Sequence, residues 1–383
     1  TYVLLAILVS LISFSIIFSS LKDVKFYPQA DEGYYFGYAS YIAKNGPPGF
    51  SVLCKEYVKN KENWLYPDPF RMGAVSLGAL FIKIFGVNFS SLSYLSLFSF
   101  FSLLLFWFYF ISKYFDKKIA FLSGALLAFS PLDMGMSRRA LIDSTTSLFL
   151  ILSIFLFFDY LEKRGKIRYI MFIFTYTFAI LIKQTSLFLI FPFFLYIFIR
   201  FFQTRIFRLK DFFLLIIPPL IVLIIWIVNT GFFCTIEIIK IYLVYPHPDP
   251  LRYKIPFCSG PWFKYFIDLF LISPIVTILF IGFILSFRFN KEEMYLTLVV
   301  ISLIFLFNLS TKNIRYIAFL NGPIRLFSIL MLNRFFKEKS SLLFLLTAII
   351  CVLDLLSFFY LFVQCGIYDP VSFWLLKARK MIP

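Results

Sequence analysis

Residues 89–112, FSSLSYLSLFSFFSLLLFWFYFIS, carry no charge and are long enough to cross a bilayer, whose hydrocarbon core takes about 20 apolar residues in a helix. Outward from this run the same signature recurs at 2–20, 119–136, 142–161, 169–183, 184–202, 212–230, 264–287, 294–310, 314–332 and 341–364. The composition of the 383-residue chain agrees. Hydrophobic residues make up 61%, charged residues only 15%, and the mean hydropathy is +0.88, against about 45–50% apolar and about 25% charged in soluble domains. No polar block outside residues 21–88 is long enough for a separate soluble domain. The expected fold is therefore an all-α integral membrane protein, a polytopic bundle of about eleven transmembrane helices forming one domain over residues 1–383.

The run 71–86, RMGAVSLGALFIKIFG, is ambiguous, because it is short, carries Arg71 and Lys83, and follows Pro67 and Pro69. Its length suits an interfacial or re-entrant helix, and charge decides the matter. If it does not cross, the basic connections 113–118, 163–168, 200–210, 288–291 and 334–339 all fall on one side, which the positive-inside rule makes cytoplasmic. The N-terminus is then inside, and loops 21–88 and 231–263 are extracytoplasmic, the first with interfacial helices. The first run has no basic leading segment and is apolar for longer than the core of about 7–15 residues in a signal peptide, so it reads as a retained span. The chain opens on Thr1 rather than Met, so the true N-terminus stays open.

A net charge of +17 raises the question of nucleic acid, but the basic residues sit between apolar runs, where they orient the protein in the bilayer. An aromatic content of 22% suits lipid-facing surfaces and interfacial belts. Five cysteines without a CxxC give no metal or redox motif. Cys234 and Cys258, both in an outer loop, are either a disulfide or free thiols. His247, the only histidine, lies in YPHPDP and reads as a surface or structural residue. Neither GxxxxGK[ST] nor a Rossmann glycine fingerprint is present, so nucleotide use has no support. Asp31, Glu32 and Asp143 offer oxygen ligands for a divalent cation but no ligand series of fixed spacing, and no metal or other cofactor is assigned.

With the cytoplasmic charges explained by topology, charges on the opposite face become informative. Asp31 and Glu32 lie in DEGYYFGYASYIAKNG soon after the first span; SPLDMGMSRRALIDS holds Asp133, Arg138, Arg139 and Asp143; Lys183 sits in IKQTS; and TKNIRY supplies Lys312 and Arg315. Carboxylates ringed by Arg and Lys suit a lipid phosphate, because guanidinium and ammonium groups pair with phosphate oxygens and a carboxylate among them is a general base for a hydroxyl. Each member also has a plainer reading. Asp31 and Glu32, taken alone, read as solvated loop charges; Arg138 and Arg139 read equally as snorkelling ends of a span; Asp143 is also a helix cap. Arg315 near a helix start opposes the helix dipole and calls for another reason to be there.

These residues together resemble the GT-C glycosyltransferases, and within them the protein O-mannosyltransferase and lipid A aminoarabinose transferase group. The likeness rests on the acidic pair Asp31-Glu32 followed by Tyr34, Tyr35 and Ala39; a helix ending at Phe85-Gly86; SPLDMGMSRRALIDSTTSLFLILSIFLFFDYL from Ser130; AILIKQTSLFLIFP at 179–192; GPWFKYF at 260–266; and RYIAFLNGP at 315–323. The resemblance implies a GT-C architecture. It also implies transfer of a sugar from a dolichyl- or undecaprenyl-phosphate donor to an acceptor outside the cytoplasm, by an inverting single displacement. It makes Asp31 the general base and Glu32 its positioning partner or a sugar ligand. Arg138, Arg139, Lys183 and Arg315 would hold the donor phosphate, and Asp143, Tyr34, Tyr35 and Tyr316 would line the sugar and acceptor pocket. Members of this group run longer and often carry outer domains that bind acceptor, so protein, lipid and glycan acceptors all stay open, as does the sugar. The group generally works without a required metal, and the expected location is the plasma membrane of a prokaryote, with the active site facing outside.

The rival reading is a polytopic transporter or flippase of lipid-linked substrates. A transporter places polar groups near mid-span, reachable from either side in turn. The absence of an internal repeat argues mildly against it. So do the span middles, which are almost bare, with Asp, Glu and Lys gathered at outer ends.

Overall fold

The computed structural model describes residues 1–205, 208–244, 260–286, 290–309, 312–337 and 339–366; His247 and Cys258 lie outside them. Among these residues the secondary structure is helical, with no strand. Helix α1 (Tyr2–Ser20) opens the chain, and α2 (Asp31–Asn45), α3 (Gly49–Lys59) and α4 (Met72–Phe85) fill the first long loop. Next come α5 (Phe89–Tyr114), α6 (Lys117–Ala128), α7 (Pro131–Ser137), α8 (Asp143–Lys163) and α9 (Lys166–Ile182). They are followed by α10 (Ile190–Thr204), α11 (Leu209–Thr230), α12 (Phe232–Val244), α13 (Lys264–Ile272) and α14 (Pro274–Leu285). The series closes with α15 (Lys291–Asn308), α16 (Asn321–Phe335) and α17 (Ser340–Ser357), the last running into a π-helical turn at Phe358–Gln364.

Local chemistry sets these boundaries. Asp116 accepts from the Ile119 amide ahead of α6, and Ser130 accepts from the Asp133 amide ahead of α7, whose first residue is a proline. Asn290 and Glu293 form a reciprocal capping box on α15. Helices α2 and α4 stop at Gly46 and Gly86, whose φ values of 69° and 91° suit glycine.

The chain divides into two compact units. The first comprises Thr1–Lys25, Leu97–Arg138 and Leu251–Pro383. At its centre the span Ile314–Phe335 is 83% buried, with α6 and α14 packed on α16 and α1 packed on α6. The second comprises Phe26–Ser96 and Arg139–Pro250. There α8 is the inner helix, its span 89% buried; α9 lies along it, α11 along α9, and α4 against α2 and α9. By contrast α1, α11 and α17 leave large apolar side chains exposed, Leu4, Val228 and Leu356 among them, as lipid-facing helices do.

This is a multi-pass membrane protein, but the count read from hydropathy is not reached. Among the described residues seven helices are long and apolar enough to cross, or eight if Lys117–Ala128 and Pro131–Ser137, bent by 59°, form one broken span. The run 264–287, expected as one span, breaks at Ser273 into α13 of 9 residues and α14 of 12, because Pro274 has no N–H to continue the helical ladder. Helix α15 starts with Lys291, Glu292 and Glu293, and α9, at 17 residues, sits at the lower limit of about 17. The run 71–86 forms α4, a 14-residue apolar helix.

The expectation of bare mid-spans needs correction in the first unit. Arg325 and Asp354 lie near the middles of the spans Ile314–Phe335 and Ser340–Gln364, 0% and 3% exposed, and pair at 2.6 Å. Ser273, at the α13–α14 break, donates to Asp354 at 2.6 Å. Asp133 accepts from Ser130 at 2.6 Å and from Asn321. A charge is tolerated in hydrocarbon when it meets an opposite charge and hydrogen bonds, and here Arg325 is matched by Asp354 inside one packed unit.

Candidate functional site

The second unit gathers polar groups where α2, α4 and α8 begin and α9 ends. Asp31 and Glu32 form the first turn of α2, where carboxylates are favoured by the unpaired amides and the positive end of the helix dipole. Glu32 is 2% exposed and both its oxygens are engaged. One accepts from Arg139 Nε at 2.8 Å and the Ala140 amide at 3.2 Å; the other accepts from Arg139 Nη2 at 2.7 Å and the Tyr27 amide at 2.9 Å. The Arg139 guanidinium also lies over the Tyr27 ring at 5.1 Å. Glu32 thereby anchors the start of α2 to the chain just ahead of α8.

The next residue, Gly33, has no room for a side chain, because a Cβ would fall 1.8 Å from the Pro28 carbonyl oxygen. Gly33→Ala must therefore push the 27–30 turn aside. We expect a loss of about 1–3 kcal/mol, visible as a lower Tm in detergent, together with reduced activity from a displaced Asp31.

Asp143, the first residue of α8, accepts from Lys183 Nζ at 3.0 Å; the two are 5% and 7% exposed. Since α8 and α9 run antiparallel through a tight turn at Arg164-Gly165, the start of α8 and the end of α9 share one end of the unit. The other end carries Arg164 paired with Asp211, Arg168 with Asp159 and Arg200 with Glu162.

Asp68 and Arg71, which the sequence reading passed over, belong to the same polar face. Asp68 is fully buried and accepts from the Phe70 amide at 2.8 Å, from Gln184 Nε2 at 3.0 Å and from the Tyr242 hydroxyl. Gln184 directly follows Lys183, so this carboxylate links the two elements. The segment is fixed from behind, where Trp226 of α11 donates to the Phe70 carbonyl at 3.1 Å and stacks on its ring at 4.7 Å. Gly73 lets α4 approach the backbone of Leu181 and Ile182 so closely that an added Cβ would sit 3.1 Å from it.

Arg71 stands at the N-cap of α4 with its side chain 19% exposed, and donates through Nη1 to the Tyr35 hydroxyl. Among the described residues its Nε has no hydrogen-bond partner, the nearest Asp68 oxygen being 3.6 Å away. Burial works against its charge, but Tyr35, Asp68, Tyr242 and Asp31 outweigh that and raise its pKa further above the ordinary arginine value. Asp31 thus lies within electrostatic reach of a fixed guanidinium. One signal for Arg71 was available in PDPFR, since a cation at the start of an apolar helix opposes the dipole, as argued for Arg315.

Other expected residues sit as follows. Tyr34 stacks on Tyr66 at 4.2 Å, and Tyr35 is buried. In the first unit Arg138 donates to the carbonyls of Ser20 at 2.5 Å and Phe362 at 2.8 Å, which ties the end of α1 to the π-helical turn. Arg315 and Tyr316 belong to a 3-10 turn, Ile314–Leu320, capped by Asn313, and Tyr316 faces Phe307 with ring centroids 6.5 Å apart. Among the described residues no three His, Cys, Asp or Glu side chains gather as metal ligands. Cys234 is a free thiol, and its suggested partner Cys258 lies outside the described residues.

Comparison with known proteins falls on the group that the sequence resembles. Residues 74–228 match the family model of dolichyl-phosphate-mannose-protein mannosyltransferases. The fold is similar to crystal structures of ArnT from Cupriavidus metallidurans. The apo state matches with a TM-score of 0.60 at 16% identity, covering 98% of this chain and 68% of that one. The structure bound to undecaprenyl phosphate matches with a TM-score of 0.59 at 14% identity and the same coverage. No curated protein sequence matches. The chain thus shares the GT-C fold of the ArnT structures, and the family model covers 155 of its 383 residues.

Proposed function

We propose that this protein transfers a sugar from a polyprenyl-phosphate donor, dolichyl or undecaprenyl, to a hydroxyl acceptor on the extracytoplasmic side of a prokaryotic plasma membrane. The observation that carries this reading is the pairing of roles on one face of the second unit. Asp31 opens α2 within electrostatic reach of Arg71, whose side chain is 19% exposed, and the Lys183–Asp143 pair and the start of α8 belong to the same face. Helix starts and fixed cations favour an anion, and the ArnT structure bound to undecaprenyl phosphate gives that anion a chemical precedent in this fold.

In this reading Asp31 takes the proton of the acceptor hydroxyl as its oxygen attacks the sugar C1. The bond from C1 to the phosphate oxygen breaks on the opposite side, so the anomeric centre inverts. Arg71 and Lys183 neutralise the charge that grows on the departing polyprenyl phosphate, an electrostatic contribution that is usually the largest in such a step. Glu32 and Arg139 set the position of α2, and Asp143 orients Lys183. Tyr34 and Tyr35 border the sugar, while Arg315 and Tyr316 are carried as substrate contacts by the resemblance alone. Arg138 and Arg139 are held at hydrogen-bond distance by backbone carbonyls and by Glu32, whereas Arg71 meets Asp68 only at 3.6 Å, which leaves Arg71 the stronger phosphate ligand.

The test uses purified protein in liposomes, a panel of radiolabelled polyprenyl-phosphate sugars and a membrane extract as acceptor source. Label leaving the lipid for an acceptor supports transfer. Label crossing the bilayer while still on its lipid, with no release, overturns it in favour of a flippase. Arg71→Met is expected to weaken donor binding about 10- to 100-fold, the value of a hydrogen-bonded charge at about 1.5–3 kcal/mol. The fold should survive, because Asp68 keeps its bonds from Phe70, Gln184 and Tyr242.

A further inference from the structure

Two thiols of the second unit lie on helices that pack together and have no part in the transfer chemistry. Cys54 lies on α3 and is fully buried; Cys234 is the third residue of α12, and α3 packs against both α11 and α12. Each thiol shifts the acidity of the other, as neighbouring groups do. Cys234 also lines a surface cleft of about 650 Å³ at the α11–α12 junction, together with Lys55, Ser51 and Asn229. One thiol is therefore reachable from outside and the other is shielded behind it.

We propose that Cys54 and Cys234 are a disulfide-forming pair that staples α3 to α12, with a small-molecule or protein disulfide as oxidant. The thiolate of Cys234 attacks one sulfur of the oxidant and displaces the other as a thiolate, giving a mixed disulfide on Cys234. The Cys54 thiol then loses its proton and attacks Cys234 sulfur, releasing the second half of the oxidant as a thiol. Two protein thiols are oxidised and one disulfide is reduced to two thiols.

The asymmetry of the pair fits this order. The Cys234 thiol is made more acidic by the neighbouring Cys54 thiol, against the opposing effect of burial, and by the nearby Lys55; its place in the first turn of a helix acts in the same sense. Burial pushes the Cys54 thiol up, which keeps it protonated until the mixed disulfide is beside it. Both cysteines fall in loops that the orientation proposed above puts outside the cytoplasm, where such bonds persist. The staple has a structural consequence for the polar face, because α12 also carries Tyr242, which donates to Asp68.

The experiment is peptide mapping of the full-length protein in detergent after incubation with oxidised glutathione and alkylation of the remaining thiols. The expected product joins tryptic peptide 45–55 to peptide 211–240, and it separates on reduction. In Cys54→Ser, glutathione should stay on Cys234; in Cys234→Ser, Cys54 should stay unmodified. If neither variant folds, the linkage in the unaltered chain decides alone. The proposal is overturned by separate alkylated peptides, by glutathione retained on Cys234 of the unaltered chain, or by a Cys234–Cys258 link. Reduction of the linked protein should lower its Tm in detergent. None of these readouts depends on sugar transfer, so the staple and the enzyme reading fail independently.

Discussion

Asp31→Asn is expected to lower sugar transfer about 10²- to 10⁴-fold while donor binding holds, because the amide keeps the size of the carboxylate but cannot accept the acceptor's proton. The assignment of the base to Asp31 rather than Glu32 follows from occupancy. Each Glu32 oxygen already accepts two hydrogen bonds and is sealed from solvent, which leaves no lone pair for a substrate hydroxyl. Asp31, one residue earlier, begins the same helix and is partly exposed. Measured kcat for donor turnover, beside donor affinity from a binding assay, separates the two contributions. Full activity in Asp31→Asn would remove Asp31 from the chemistry and with it the proposed mechanism.

The parts of this protein that were legible in its sequence are those written in uninterrupted stretches. Residues 89–112, 2–20 and 341–364 announce spans by length alone, and the helices over them cross by the same measure. Charge segregation was legible too, since Arg164, Arg168 and Arg200 do share one end of the second unit and Asp143 and Lys183 the other. What was lost is what an averaging window erases. Arg325 and Asp354 each sit alone in an apolar run, so hydropathy passes over them, yet they find one another across 29 positions and close a pair inside the first unit. Pro274 was visible as a helix-start residue, but an apolar run on either side made 264–287 look continuous.

The candidate site shows the same division. The acidic pair Asp31-Glu32 stood out, but two adjacent carboxylates carry no mark of which is tied down, because that depends on Arg139, more than a hundred residues away. Asp68 and Arg71 escaped notice because PDPFR lies in a segment read for topology rather than chemistry. Their importance comes from Gln184, Tyr242 and Tyr35, partners set by the packing of α4, α9 and α12 and by no local pattern.

Glu32→Ala tests that difference in role most severely. Arg139 is 7% exposed, and removal of Glu32 strands its guanidinium, along with the amides of Tyr27 and Ala140, away from water. Breaking one side of a buried ion pair costs about 3–5 kcal/mol, chiefly because an uncompensated charge is left behind. The variant should therefore melt several degrees lower in detergent and lose transfer as a consequence of losing structure. Arg139→Met placed on top of Glu32→Gln should recover part of the Tm, since the stranded charge is gone and the amide oxygen still accepts from Tyr27 or Ala140. A catalytic Glu32 predicts the opposite pattern: a single variant that melts like the parent and fails only in transfer, with no gain from the second substitution. The thermal measurement thus assigns the two carboxylates separately, Glu32 by the structure it holds and Asp31 by the rate it sets.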